Sequence, residues 1–261
     1  MALDRRRLAV LWLVGLSVGG IAALLILGPI PQPAAYHDFA DRRPWIGMPN
    51  AADVLSNAAF LAVGAAGLLA VARSRRDAHP PEPWERRAFS AYAAGLACTA
   101  VGSAVYHLHP TDASLVWDRL PMSVTFAALA ALLFGERLSP RAGRLSLVPL
   151  ALLGVASVAL WAWTLDRMPG GDLRAYVLVK YATLAAAILL LVFVPEPRAT
   201  RAPVWQSLAA FCAATAFEIG DASVFRATGG LLSGHTVKHV VAALAAAFVL
   251  GWFSRRRALA Q

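Results

Sequence analysis

The chain has 261 residues, of which 59% are hydrophobic and only 15% charged, with a formal net charge of +9. No soluble domain of this size has a core large enough for so much apolar side chain, which excludes a water-soluble globule. The basic residues stand in short clusters between apolar runs rather than in one patch. That placement argues against a nucleic-acid partner and for contact with anionic headgroups.

A helix crosses a bilayer in about 20 apolar residues. Eight such runs follow one another, at roughly 8–29, 51–72, 87–108, 115–134, 145–165, 174–194, 204–221 and 236–253. The expected fold is an all-α integral membrane bundle of seven helices preceded by one extra N-terminal span. The expected parts are an anchor over 1–34, the bundle over 35–254 and a basic tail over 255–261. The first run follows "RRR", but at about 22 residues it exceeds the roughly 7–15 apolar residues of a signal peptide. It is therefore expected to remain as an anchor.

With the N-terminus inside, sixteen arginines fall on the inner side: Arg5, Arg6, Arg7, Arg73, Arg75, Arg76, Arg86, Arg87, Arg137, Arg141, Arg144, Arg198, Arg201, Arg255, Arg256 and Arg257. Five fall on the outer side: Arg42, Arg43, Arg167, Arg174 and Arg226. This asymmetry predicts a cell (inner) membrane protein with both termini in the cytoplasm. Cys98 and Cys212 lie within spans, so no disulfide framework is expected, and Cys98 reads as buried packing. Gly64, Gly67, Gly95 and Gly102 are small enough to let helices approach closely.

Polar residues gather at one depth. Ser56 and Asn57 follow the outer start of the second span. Ser103 and His107, four apart, share a face in the last outer turns of the third. Asp118 enters the fourth span in its first outer turn. Glu218 and Asp221 stand three apart at the outer end of the seventh. His235 and His239 stand four apart at the outer start of the eighth. The orientation rests on arginines alone, yet it brings all of these groups to the same level. A lone histidine near a helix end usually just meets headgroups. Ionisable groups inside a membrane are costly, however, and tend to face a cavity or a partner.

Two imidazoles at i and i+4 with a third from another helix can hold one metal ion. Three protein ligands with an open fourth position describe a catalytic zinc site better than a structural one. Such a metal would activate water, Asp118 would take its proton, and Ser103 would donate to the developing oxyanion. Spacing alone leaves the metal open, because imidazole also suits iron, nickel and copper. Glu218 and Asp221 either orient histidines or pair with Arg226, and Ser56 and Asn57 are candidates for the same supporting role. His109 reads as interfacial, and Lys238 as snorkelling to phosphate.

The stretches "GSAVYHLHP", "VWDRLPM" and "SGHTVKHVVAALA", with "DVLSNAAF", resemble the alkaline ceramidase family within the CREST superfamily of seven-helix membrane hydrolases. The resemblance covers about 36–250. It implies a zinc-dependent amidase that cleaves the N-acyl bond of ceramide-like lipids drawn from the bilayer. It also implies His107, His235 and His239 as Zn2+ ligands, Asp118 as the acid that deprotonates water, and Ser103 as the catalytic serine. The family carries a Ca2+ site before its first core helix, for which Asp38, Asp41 and Asn50 stand at matching positions, although this stretch holds less acid. Arg119 departs from the eukaryotic pattern, where the residue after the aspartate is acidic, so ceramide itself is not assumed. The alternatives are an acyl-ester hydrolase of the same superfamily and a non-enzymatic receptor. A transporter is disfavoured by the apolar inner halves of the spans, such as "VTFAALAALLF".

Overall fold

The computed structural model describes residues 4–77, 80–194 and 198–259; residues 1–3 of the expected anchor and 260–261 of the expected tail lie outside them. The chain forms α1 (Arg5–Ile26), a 3-10 turn (Ala34–His37), α2 (Ala51–Ser56), α3 (Ala58–Ser74), α4 (Pro83–Leu108) and α5 (Asp112–Arg137). It continues with α6 (Pro140–Leu165), α7 (Arg174–Phe193), α8 (Arg198–Ile219), α9 (Asp221–Ala227) and α10 (Gly234–Leu259). No strand occurs among the described residues. Among the described residues, seven spans are long and apolar enough to cross a membrane, with α2 and α3 forming one of them. The pair α8 and α9 supplies an eighth, broken by a bend of 81°. The all-α membrane class required by composition is the one the chain adopts.

The chain divides into two compact units. The first comprises Met1–Pro33, Glu82–Tyr92 and Met122–Glu196. Within it α7 packs against α1 and α6. The segment after α1 is clasped to the α6–α7 turn: Leu173 N donates to Ile30 O at 2.8 Å, and Gln32 N to Gly170 O at 2.9 Å. Trp84 lies against Gly135 and Gly143, where the missing side chains leave room for the indole.

The second unit comprises Ala34–Pro81, Ala93–Pro121 and Pro197–Gln261. Here α10 packs on α8, α3, α2 and α9. Glycines set the close approaches: a Cβ on Gly64 would lie 2.7 Å from Ala93 O, and one on Gly67 would lie 2.8 Å from Ala93 Cβ. Gly102 meets the Trp117 carbonyl. Pro121 has no N–H to offer that carbonyl from the next turn, so α5 presents it to α4 and only a glycine admits it.

Two interruptions shape this unit. Asn57 separates α2 from α3, and Gly220 separates α8 from α9. Glu218 and Asp221, expected on one helix, therefore stand on opposite sides of a break. The start of α10 packs into it, since a Cβ on Gly234 would lie 2.7 Å from Asp221 Cα.

Candidate metal centre

His107 ends α4, while His235 and His239 occupy the first turns of α10. The three residues are 1%, 6% and 2% exposed. One nitrogen from each lies within 4.8 Å of the other two. The Nε2 atoms of His107 and His235 are 3.3 Å apart. Two ligands on a tetrahedral ion with bonds of about 2.0–2.1 Å are separated by roughly 3.3 Å, so this edge already has the size zinc requires. Among the described residues, this trio is the group of three or more His, Cys, Asp or Glu placed to hold an ion.

The tautomer of His239 also fits a ligand. Ser56 Oγ donates its single proton to Asp53 O at 3.0 Å and lies 2.7 Å from His239 Nδ1. Nδ1 is therefore the donor to Ser56, which leaves the lone pair on Nε2 for a metal. His107 lacks such support, because its buried Nδ1 has no hydrogen-bond partner among the described residues. Its main chain is held instead: Asn50 Nδ2 donates to His107 O at 2.8 Å. Asn50 adopts a left-handed conformation with φ 47°, which asparagine tolerates better than most residues.

The start of α10 is fixed by its unpaired N–H groups. Ser233 Oγ accepts from Thr236 N at 2.9 Å, and Asp221 Oδ1 from His235 N at 2.8 Å. Asp221 Oδ2 accepts from Ala40 N at 2.9 Å. Asp221 thus positions the His235 backbone and the 38–45 loop; among the described residues its carboxylate bonds main-chain N–H groups, while the Arg226 guanidinium bonds Ser223. Buried Asp53 accepts from Thr236 Oγ1 at 2.6 Å. Phe39 closes one side, its centroid 4.7 Å from those of His107 and His235.

Ser103 is buried one turn before His107 and comes beside the half-buried Asp118 where Gly102 lets α4 approach α5. The serine and acid expected to work together therefore meet. Arg119 lies over the Tyr36 ring at 5.5 Å. His37 contacts Tyr106 Oη at 2.9 Å and Asp112 at 3.2 Å, tying the 3-10 turn to the adjoining ends of α4 and α5.

Several expected roles are corrected. Lys238 points inward, its Nζ 2.7 Å from Glu218 Oε1 and 3.4 Å from His235 Nε2, so Glu218 pairs with Lys238 rather than Arg226. Asn57 turns its amide back to Asp53 O at 2.8 Å and does not support a histidine. Asp38 pairs with Arg42 at 2.6 Å, Asp41 with Arg43 at 2.6 Å, and Asn50 with His107 O. The residues expected to match a calcium site therefore lie beside arginines or, for Asn50, donate from the amide nitrogen. Hydrogen bonding to Arg43 holds the Asp41 carboxyl below the ordinary carboxylate range. Cys98 and Cys212 are free and exposed, so Cys98 is neither buried packing nor a ligand. His109 is exposed, as an interfacial residue would be. Sequence reasoning missed Phe39 and Asp53 and read Lys238 as a headgroup contact. The signal for Lys238 was its spacing of three from His235, which makes the two helical neighbours.

No protein-family model matches the chain, and no curated protein matches it.

Proposed function

We propose that the chain is a zinc-dependent lipid amidase working within the membrane, cleaving the N-acyl bond of ceramide-like lipids. The observation that carries this reading is the meeting of three buried imidazoles from α4 and α10, with a Ser103–Asp118 pair one helical turn from His107. The resemblance of the surrounding motifs to alkaline ceramidases supports it.

A zinc ion on His107, His235 and His239 would supply a Lewis acid for the acyl carbonyl and a nucleophile from water near neutral pH. Asp118 accepts the proton of the attacking water and returns it to the leaving nitrogen. Ser103 orients Asp118 and offers its hydroxyl to the carbonyl oxygen as that atom gains charge. Ser56 keeps His239 in the ligating tautomer, and Phe39 keeps bulk water off two of the rings. The arginine asymmetry supports a site toward the extracytoplasmic side with both termini in the cytoplasm, so the lipid reaches it sideways from the outer leaflet. The same residues would serve an acyl ester, which the assay must distinguish.

The test incubates purified protein with short-chain ceramide, diacylglycerol and phospholipid, and measures released fatty acid with and without chelator. Release from ceramide is expected, lost on chelation and restored by zinc. Asp118→Ala lowers it by about 10²–10⁴-fold, and His235→Ala removes it together with bound zinc. Full turnover in both variants, or no release from any lipid, overturns the assignment. Release confined to diacylglycerol selects the ester reading.

A further inference from the structure

Lys238 has three N–H groups and no acceptor. One goes to Glu218 at 2.7 Å, and a second faces His235 Nε2 at 3.4 Å. The third has no protein partner among the described residues, and the side chain is 20% exposed. His235 Nε2 is also the atom that faces His107 Nε2. A metal ion on the trio and the Lys238 ammonium therefore compete for one lone pair. When the ion takes it, a second Lys238 N–H is released beside the centre.

From these contacts we infer that Lys238 is an anion-binding residue engaged by metal occupancy, and that its ligand is the carboxylate of a long acyl chain. The contact with Glu218 shows that a carboxylate fits this ammonium at 2.7 Å with the side chain in place. A centre at the outer ends of membrane-spanning helices is within reach of anions that partition into the bilayer, and a fatty carboxylate joins the apolar chain for that to the charge Lys238 binds. A compact ammonium also suits a single carboxylate oxygen. The placement of an anion site at Lys238 stands on the geometry alone. Its assignment to a fatty acid rests on the hydrolase reading, of which that acid is a product.

The test titrates laurate into full-length detergent-solubilised protein, zinc-loaded or chelator-treated, with dodecanol as the uncharged control. Zinc increases laurate affinity in any case by offering the carboxylate a Lewis acid, so the comparison lies between variants. Lys238→Met is expected to weaken laurate at least about tenfold in the zinc-loaded protein and no more than about threefold in the chelated one. Lys238→Arg keeps most of the affinity, and dodecanol binding is unchanged. Glu218→Gln, which removes the internal carboxylate, raises laurate affinity in both forms and decides the matter if Lys238→Met does not fold. Equal laurate binding by wild type and Lys238→Met, losses of the same size with and without zinc, or weaker binding in Glu218→Gln overturns the inference. Lys238-dependent laurate binding in a protein that cleaves no lipid would sink the hydrolase reading and leave the anion site standing. Lipid cleavage with laurate binding indifferent to Lys238 would do the reverse.

Discussion

Replacing Gly102 by alanine should part α4 from α5 where Ser103 meets Asp118. The new Cβ would lie 2.7 Å from the Trp117 carbonyl carbon and 3.2 Å from the Asp118 amide nitrogen. Non-bonded carbons rest at about 3.5–4.0 Å, so the helices must separate locally by about 1 Å. Both obstacles are main-chain atoms, and no side-chain rotamer can yield instead. Overpacking of this kind costs about 1–3 kcal/mol. A misplacement of about 1 Å in reacting groups costs roughly 10²-fold in rate. The assay pairs the melting temperature in detergent with fatty-acid release. Both should fall, while Gly251→Ala, with nothing within 4 Å of its Cβ, should leave both unchanged or slightly raise the melting temperature. A Gly102→Ala protein that melts and turns over like wild type would refute the claim that this close approach sets Ser103 on Asp118.

Ser56→Ala removes the acceptor that fixes His239, and zinc affinity measured by chelator competition should drop about 10–100-fold; an unchanged affinity would mean that the tautomer is set by another group. Asp41→Asn tests the pairing of Asp41 with Arg43 through pH. Because the folded protein holds this carboxyl below its ordinary value of 3.8, the pairing contributes fully above that value and fades as pH falls through the lower folded one. The melting-temperature gap between wild type and Asp41→Asn should therefore be level from about pH 7 to about pH 5 and close only below the ordinary carboxylate range. A gap that closes between pH 7 and pH 5 would contradict the assignment.

The spans were legible because apolar run length is a nearly sufficient signal in a membrane, and the eight runs fall on helices. The meeting of His107 with His235 and His239 was legible for a different reason. Arginine asymmetry assigns a depth to each helix end, and depth combined with helical spacing leaves few arrangements. The break at Gly220 was not legible: the span was expected to run to about 221 with Glu218 and Asp221 on one helix, and nothing in the sequence marked α9 or the bend into which the start of α10 packs. Nor was the fate of Asn50, because a side chain bonding a carbonyl 57 residues away leaves no local pattern. Asp38 and Asp41 were ambiguous in another way: acids beside arginines satisfy a calcium pattern and an ion-pair pattern equally, and in the structure they pair with Arg42 and Arg43. Lys238 was misplaced because a cation near a helix end suggests a headgroup, whereas Glu218 across the gap supplies a nearer anion.

The position of Phe39 has a use of its own. Its ring faces two of the three imidazoles at 4.7 Å between centroids while contributing no atom that could ligate. A fluorine label on that ring would sense the magnetic surroundings of both histidines without altering their donor set. Occupancy of the centre could then be followed by resonance frequency, in detergent or in native lipid, with metals that are otherwise spectroscopically silent.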